Sequence, residues 1–572
     1  MHDLVIRGGT VVDGTGATAR TADVAVRDGR VVAVGDRSGI GAGRTEIDAD
    51  GALVTPGWVD IHTHFDGQVT WDDLLTPACW HGVTTVVTGN CGVGFAPCRP
   101  DERRRLIELM EGVEDIPGTA LHEGMQWHWE SFPEYLDYLA TRRIVMDVGT
   151  QISHGPVRTY VMGERGARNE PATPEDIAAM AAIVREAMEA GALGFTTSRT
   201  IMHRAIDGEP VPGTYAAEDE LFGIGAALRE AGHGVFEVAP AGVAGEDDLA
   251  PSREVAWMRR LAAAIGRPVA YGMTQSNASP ALYRDLLAET QAAADAGAEV
   301  WMQVAGRATG LIFSLETTYH PLRGRPTFDA LAALPMTERV ARLRTAEVRD
   351  AILGESGAQS SLLSAFGDRI VPIGDEVDYE PAYEDSVVAR AKREGREPDA
   401  VLYDLMLERD GRRMFMIPIL NYADGSLEPV REMLLHPRSV FGLGDAGAHC
   451  ATICDASMTT TMLTHWARDR SRGDRLPLEL AVKKMTSDTA ALYGLRDRGS
   501  LAPGMRADLN VIDLERLRTH PPEVLYDLPG DCPRLIQRAD GYIATAVAGS
   551  VTFREGEHTG ELPGTLIRGR RS

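Results

Sequence analysis

Two histidines lie one residue apart at the end of an apolar run. His62 and His64 stand in the segment GWVDIHTHFDGQ, which runs from Gly57 to Gln68. Successive residues of a strand point to opposite faces, so both imidazoles would project from the same face of a strand. Two imidazoles that converge on one point suit a divalent metal such as zinc. The alternative is one buried histidine with satisfied hydrogen bonds and one exposed histidine, because short motifs also arise by chance.

The elements that must position these histidines repeat along the chain. Between Leu53 and about Leu495 there are eight apolar, β-rich runs, most of them followed by a helical pattern. The runs are LVTPGWVDIHTH, GVTTVVTGNCG, IVMDVGTQISH, GALGFTTSR, HGVFEVAP, RPVAYGMTQS, AEVWMQVAGR and SVFGLGDAGAH. Eight strand and helix units in order predict an α/β fold, a (β/α)8 TIM-like barrel. A doubly wound open sheet is the alternative topology.

The two ends of the chain predict a second, smaller domain. Residues 1–52 contain short strands with a hairpin signal at Asp28 and Gly29, and residues 496–572 contain further strands. Chain termini often lie close together, so we expect the two segments to form one small β-sandwich beside a barrel of residues 53–495. The seventh connection, residues 311–434, is far longer than one helix needs. Long loops at the C-terminal face of such barrels are often functional, which favours a lid over the site; an insertion that forms oligomer contacts is the alternative.

Composition restricts the partners and the compartment. The formal net charge of -25 argues against nucleic acid and anionic membranes, whose binding needs clustered Lys and Arg. No apolar run reaches the length of a membrane span, and the start MHDLVIRGGT does not resemble a signal peptide. Six cysteines in 572 residues do not suggest a disulfide framework. We therefore expect a cytoplasmic protein that acts on a small molecule, with a homo-oligomer as an open possibility.

Polar residues follow every predicted barrel strand, where such barrels place their active sites. In strand order these residues are His62 and His64, Asn90 and Cys91, His154, Ser198 and Arg199, Glu237, Gln275 and Asn277, Arg307, and Asp445 and His449. A thiolate binds zinc, although a buried cysteine is more often a small apolar core residue. A carboxylate beside a metal-bound water can accept a proton and return it to a leaving amine, although an aspartate among glycines is also typical of a turn. The set favours a metal site.

Four segments carry a resemblance to a known family. They are VTPGWVDIHTH, GVTTVVTGNCG, GLGDAGAH and LAPGMRADLNVIDL. Together they resemble the amidohydrolase superfamily and, within it, the D-aminoacylase (N-acyl-D-amino-acid deacylase) family, over almost the whole chain. The resemblance implies a (β/α)8 barrel with a small β domain from both termini, and zinc-dependent hydrolysis of an N-acyl bond. It places metal binding on His62, His64, Cys91 and Asp445, with Asp445 as the general acid/base.

The sequence departs from that family at two strand ends. The resemblance implies metal-binding histidines after the fifth and sixth strands, where this chain reads FEVAPAG and YGMTQSNAS. Either Glu237 replaces a ligand, or the protein keeps a single metal. We expect about one zinc (Zn²⁺) per chain, with two as the alternative. None of the three lysines lies on a predicted barrel strand, so a carboxylated lysine that bridges two metals is not expected.

The resemblance implies an acylated amino acid or a related small amide as the substrate. A guanidinium binds a carboxylate with two hydrogen bonds, so one of Arg199, Arg307 and Arg204, which lies in the loop after the fourth strand, is predicted to bind the free carboxylate of such a substrate. The alternative for each is a surface or ion-paired arginine. His154 and His203 are predicted to line the pocket, together with Glu237. Two other classes stay open: another amidohydrolase on the same barrel, such as a cyclic amidase, lactonase or deaminase, and a metal-poor pseudoenzyme or binding protein.

Overall fold

The computed structural model describes residues 1–569. The strands of this part of the chain are β1 (His2–Val11), β2 (Arg20–Arg27), β3 (Arg30–Gly35), β4 (Gly43–Asp48), β5 (Leu53–Pro56), β6 (Trp58–Asp60), β7 (Val83–Thr88), β8 (Asp147–Thr150), β9 (Ile152–Ser153), β10 (Gly194–Ser198), β11 (Val235–Ala239), β12 (Val269–Met273), β13 (Val300–Val304), β14 (Thr309–Phe313), β15 (Val371–Pro372), β16 (Phe415–Leu420), β17 (Ser439–Phe441), β18 (Leu509–Ile512), β19 (Arg518–Thr519), β20 (Glu523–Leu528), β21 (Cys532–Ile536), β22 (Ala539–Asp540), β23 (Tyr542–Val547), β24 (Ser550–Arg554) and β25 (Glu557–His558).

The α-helices of the same residues are α1 (Arg103–Glu114), α2 (Gly118–Gly124), α3 (Phe132–Leu139), α4 (His154–Met162), α5 (Glu164–Ala167), α6 (Pro174–Ala190), α7 (Glu218–Ala231), α8 (Ala250–Ile265), α9 (Leu282–Asp295), α10 (Pro326–Asp329), α11 (Met336–Leu343), α12 (Ala346–Gly354), α13 (Ser361–Phe366), α14 (Val387–Glu394), α15 (Pro398–Met406), α16 (Glu428–Leu435), α17 (Met458–Thr461), α18 (Leu478–Met485) and α19 (Ser487–Leu492). A π-helical segment, Met462–Asp469, continues α17. None of the helices in residues 1–569 combines the length and apolar character that a membrane span requires.

Eight parallel strands form a closed barrel, as the eight apolar runs predict. One arc pairs β6, β7 and β8, and the other pairs β9, β10, β11, β12, β13 and β17. β8 and β9 are one strand interrupted at Gln151, which joins the two arcs. The barrel closes between its first and last strands, where the His64 amide donates to the Ala446 carbonyl at 2.8 Å. The predicted barrel is therefore confirmed.

Local signals in the sequence determine where the barrel helices start and stop. At the start of α6 the Thr173 hydroxyl accepts a hydrogen bond from the Asp176 amide, and the Asp176 carboxylate accepts one from the Thr173 amide. This reciprocal pair satisfies two of the amides that a helix leaves unbonded at its first turn. Gly191 ends the helix with a φ of 114°, in the left-handed region that suits glycine. The buried face of α6 includes Met180, Val184 and Met188.

Strands from both termini build one sheet beside the barrel. The order is β25-β24-β23-β18-β5-β1-β2-β3, with β4 paired to β1. Leu53–Pro56 opens the first predicted barrel run, yet it forms β5 in this sheet between β1 and β18. The pairing of β5 with β18 brings the two ends of the chain together next to the first barrel strand.

The long seventh connection has a hydrophobic core of its own. β14, β16 and β15 form a small sheet, and buried residues such as Phe313, Phe328 and Leu402 pack with it and the neighbouring helices. The connection contacts the C-terminal side of the barrel, because the Asn421 amide donates to the Gln275 carbonyl at 2.9 Å and the Ile312 amide donates to the Thr452 carbonyl at 2.7 Å. Its function as a lid stays a prediction.

Candidate metal centre

Four potential ligands meet at the C-terminal ends of neighbouring strands. His62 Nε2 lies 3.4 Å from Cys91 Sγ and 3.4 Å from Asp445 Oδ1. His64 Nε2 lies 3.6 Å from the same Asp445 oxygen. One ligand atom from each of His62, His64 and Cys91 lies within 4.8 Å of the other two. Ligands about 2.0 to 2.3 Å from a tetrahedral zinc lie about 3.3 to 3.8 Å apart, so three of the observed separations match that geometry.

The hydrogen bonds of the two histidines fit a metal ligand role. His62 Nδ1 is 2.7 Å from Gln303 Oε1, a contact that leaves Nε2 to face the cluster. Metal-binding histidines commonly use their second nitrogen in this way, because the hydrogen bond fixes the ring. Both ring nitrogens of His64 are buried and have no hydrogen-bond partner within residues 1–569. A buried polar atom without a partner is costly, and a bound cation would satisfy it.

Unusual backbone conformations bring Cys91 and Asp445 into the cluster. Cys91 has a φ of 55° and Asp445 a φ of 43°, which is uncommon for residues other than glycine. Gly92, next to Cys91, has a φ of 72°, and a Cβ there would lie 2.6 Å from the Ser198 amide nitrogen. The sequence GNCG is therefore needed for the loop to pass close to strand β10.

Buried carboxylates surround the cluster and give it a preference for positive charge. Burial raises the pKa of Glu237 to about 8 and that of Asp60 to about 7. Burial alone would lower the pKa of His64, yet the charges of Glu114 and Asp445 raise it to about 9. Burial also opposes ionisation of Asp445, but the neighbouring imidazoles of His64 and His62 hold its pKa below the usual range. A divalent cation can replace the proton on His64, since metal binding releases protons from its ligands.

Most of the chain matches one family. A family model described as Amidohydrolase family matches residues 45–553, a stretch that contains every residue of the cluster. The chain belongs to the amidohydrolase family. This result confirms the resemblance that the four sequence segments carry.

Individual relatives cover this amidohydrolase from end to end. The D-aminoacylase of Alcaligenes xylosoxydans xylosoxydans is 28% identical over 571 residues, which are 99% of this chain and 97% of its own length. A solved D-aminoacylase, described by a binuclear metal centre with one-metal activation and second-metal attenuation, superposes with a TM-score of 0.65 at 24% identity, over 99% of this chain and all of that chain. The N-acyl-D-glutamate deacylase from Bordetella bronchiseptica, solved with zinc and a phosphonate inhibitor, gives a TM-score of 0.66 at 22% identity, over 99% of both chains. The solved structures support the predicted fold.

Three predicted substrate residues of this amidohydrolase already have protein partners. Both ring nitrogens of His154 are bonded, to Thr197 Oγ1 at 2.8 Å and to Glu220 Oε1 at 2.9 Å. We therefore assign His154 to packing rather than to the substrate pocket, because no ring nitrogen is left for a ligand. The two arginines predicted to bind the substrate, Arg199 and Arg307, also have protein partners.

The guanidinium groups of Arg199 and Arg307 are ion-paired. Arg199 Nε donates to Glu254 at 3.0 Å. Arg307 is fully buried, and its Nη2 donates to Asp455 Oδ1 at 2.7 Å. A guanidinium that is satisfied by a protein carboxylate is not available to a substrate carboxylate, so we withdraw both from the predicted clamp.

The other two predicted substrate residues lie near the cluster. Glu237 is fully buried, its Oε2 accepts from the Cys91 amide at 3.3 Å, and its Oε1 lies 4.0 Å from His62 Nδ1. Glu237 is thus part of the wall of the metal centre. His203 Nδ1 is 3.0 Å from Ser198 Oγ. Burial, followed by the charges of His449 and His64, lowers the pKa of His203 to about 4, so its ring is neutral at neutral pH.

Sequence reasoning missed Glu114 and Gln303. Glu114 lies at the last residue of α1 and is 2% exposed, with Oε2 at 3.4 Å from His64 Nε2. A signal existed, because Glu114 falls one helical turn after Met110 and two after Ile107, on the apolar stripe of the helix. An acid on an apolar stripe needs a buried partner. Gln303 lies inside β13, where a polar residue interrupts an apolar strand.

Proposed function

We propose that this protein is a metal-dependent amidohydrolase that cleaves the N-acyl (amide) bond of an N-acyl-D-amino acid or a related small amide. The observation that carries the proposal is the buried cluster of two imidazoles, a thiol and a carboxylate at the C-terminal ends of the barrel strands. The names of relatives that span the whole chain support the same reaction class.

His62, His64, Cys91 and Asp445 are the residues that would hold the metal, and their mixture of imidazole, thiolate and carboxylate favours zinc at about one ion per chain. When bound there, zinc supplies Lewis acidity and lowers the pKa of water, so that hydroxide is available at neutral pH. Gln303 keeps His62 Nε2 directed into the cluster.

Asp445 is the proposed proton carrier. Its low pKa keeps the carboxylate ionised at neutral pH, so it can accept the proton of the attacking water on an oxygen. The same oxygen then returns this proton to the nitrogen of the leaving amine. The Asp445 side chain is 17% exposed, whereas His62 and His64 are buried, and this exposure gives the carboxylate access to the cleft.

Substrate contacts are proposed for residues at the edge of the cleft. Ser198 holds His203 Nδ1, which leaves Nε2 of that neutral ring to bond the substrate. For a substrate carboxylate, Arg369 replaces Arg199 and Arg307. Its Nη1 donates to Asn277 Oδ1 at 2.5 Å beyond the end of β12, and it has no carboxylate within ion-pair distance among residues 1–569. Arg204, in the loop after β10, stays a candidate from the sequence, because within residues 1–569 its guanidinium donates to the Gly208 carbonyl and forms no ion pair.

We further infer that the protein acts in the cytoplasm on small molecules, without a nucleic acid or membrane partner. The net charge of -25 and six cysteines that are free in the described chain support this setting.

Metal analysis and a substrate panel test the proposed function. Purified protein should contain about one zinc per chain, lose activity with a chelator and regain it with zinc. The panel should include N-acyl-D-amino acids, N-acyl-L-amino acids, hydantoins and lactones. Cys91→Ala should lower metal content and activity together, whereas Cys79→Ala, at a buried cysteine outside the cluster, should change neither. Protein without metal, or activity on lactones alone, would overturn the proposal.

A further inference from the structure

Glu114 brings a buried carboxylate to the metal centre from outside the strand ends. It ends α1, which lies in the connection between β7 and β8. Its Oε2 is 3.4 Å from His64 Nε2 and 3.8 Å from His449 Nε2. The first separation equals that between His62 Nε2 and Asp445 Oδ1, so Glu114 lies at ligand spacing from the cluster.

The second carboxylate oxygen of Glu114 is not bonded by any protein group within residues 1–569. This oxygen, Oε1, is buried. A carboxylate removed from water loses its hydration, and the protein usually compensates with hydrogen bonds or a cation. The Glu114 carboxylate approaches the unbonded His64 Nε2 to 3.4 Å through Oε2, so one cation could bind both residues at this point.

The backbone holds Glu114 at this position with several bonds. The Glu114 carbonyl accepts from the His449 amide, and the Asp115 carbonyl accepts from the Cys450 amide at 3.1 Å. The Asp115 carboxylate accepts from the Thr452 hydroxyl at 3.0 Å. These bonds attach the end of α1 to the loop that follows Asp445. The carboxylate is thus held in advance of binding, as a ligand of low reorganisation cost requires.

A glycine permits the helix to reach the site. A Cβ at Gly112 would lie 2.4 Å from the Arg204 carbonyl oxygen, in the loop that carries His203. Only glycine allows α1 to approach this loop so closely. The helix end, the loop after β10 and the loop after β17 therefore meet around Glu114.

We propose that the Glu114 carboxylate is a direct ligand of the metal held by His62, His64 and Cys91. This inference rests on the proposed metal-dependent function. The role compensates for the absence of histidines after β11 and β12, because an oxygen donor from α1 fills a coordination position that those strand ends do not provide. Oxygen donors of Glu and Asp are ordinary zinc ligands, so the assignment needs no change of metal.

Zinc affinity of the Glu114→Gln variant tests the assignment. The metal is removed from purified protein with a chelator, and zinc is titrated back against a chromophoric competitor. Glu114→Gln should bind zinc at least 10-fold more weakly, because loss of even an outer partner of a metal ligand costs about 10- to 100-fold in affinity. Glu108→Gln, on the same helix and paired with Arg104 at its surface, should bind zinc as tightly as the unmodified protein. Glu114→Asp should show intermediate affinity, and circular dichroism should show that all variants are folded.

Cobalt reconstitution separates a direct ligand from a more distant partner. With Co²⁺ in place of zinc, the visible bands of Glu114→Gln should shift in position and intensity, while the thiolate-to-cobalt band from Cys91 persists. Zinc affinity within twofold of the unmodified protein, or an unchanged cobalt spectrum, would overturn the ligand assignment. If the unmodified protein binds no zinc or cobalt at all, the metal-dependent function fails, and the ligand assignment fails with it.

Discussion

Replacement of Arg307 by methionine should destabilise the protein without weakening substrate binding. The guanidinium is fully buried, donates to Asp455 Oδ1 at 2.7 Å, to the Cys454 carbonyl at 2.9 Å and to Ser457 Oγ at 2.9 Å, and lies 3.8 Å from the ring centroid of Tyr379. Methionine fills similar space but leaves the Asp455 charge without its partner. Removal of one member of a buried ion pair costs about 3 to 5 kcal/mol, so the free energy of unfolding should fall by that amount.

Denaturant unfolding of a double-mutant set measures this cost. Arg307→Met, Asp455→Asn and the double variant are compared with the unmodified protein by tryptophan fluorescence. The double variant should lose less stability than the sum of the single variants, because neither charge is then left alone. Asp455→Asn removes the carboxylate with little change of shape and so serves as the matched partner. The kinetic parameters, normalised to folded protein, should show an unchanged KM for Arg307→Met.

Two results would refute this reasoning. If Arg307→Met keeps its free energy of unfolding within about 1 kcal/mol of the unmodified value, the ion pair with Asp455 is not an important contact. If KM for an N-acyl amino acid also rises at least tenfold in that variant, the sequence-based prediction that Arg307 binds the substrate carboxylate is correct. The rise in KM would show that the side chain faces the cleft during catalysis.

Three further predictions concern the chemistry, the pH response and the substrate. Asp445→Asn should leave a folded protein whose kcat is lower by about 10²- to 10⁴-fold, measured on the best substrate of the panel, and a wild-type rate would remove its proton role. Burial opposes ionisation of Glu380, but hydrogen bonds from His465 and Arg470 lower its pKa from 4.5 to about 2, so it stabilises the fold above about pH 4.5 and loses this contribution as the pH falls towards 2. Acid unfolding should therefore be less steep in Glu380→Gln, and an identical acid transition would contradict the pairing. Arg369→Met should raise KM for an N-acyl amino acid but not for its carboxamide, and an equal effect on both would exclude a carboxylate contact.

The sequence predicts the barrel and part of the site because those features are local. Each apolar run contains a barrel strand, and His62 and His64 directly follow β6 with the spacing of two residues that directs extended side chains to one face. The partner that a polar side chain binds is not determined by the residues near it in the sequence. The carboxylate that binds Arg307 is 148 residues further along the chain, and the one that binds His154 is 66 residues away. An arginine or histidine at a strand end can face the cleft or a neighbouring loop, and the sequence does not distinguish these orientations.

For Glu114 the sequence indicates burial but not the residue that it contacts. Its position on the apolar stripe of α1 indicates burial, yet the residue that it meets depends on how the connection from β7 folds back over the barrel. That path is set by contacts such as those between Asp115 and the loop after Asp445. The sequence therefore finds candidate ligands just beyond the strand ends, whereas a candidate on a helix of a connection, such as Glu114, appears only in three dimensions.

The attachment of the seventh connection makes it an exchangeable module. Its first and last strands, β14 and β16, pair antiparallel, with Thr309 opposite Leu420, so the chain leaves and re-enters the barrel at neighbouring points. The segment between these points has its own hydrophobic core. An insertion, deletion or replacement beyond this two-stranded neck leaves the spacing between β13 and β17 unchanged. The residues of this connection, among them the proposed substrate contact Arg369, can therefore change while the barrel strands and the residues that follow them stay fixed.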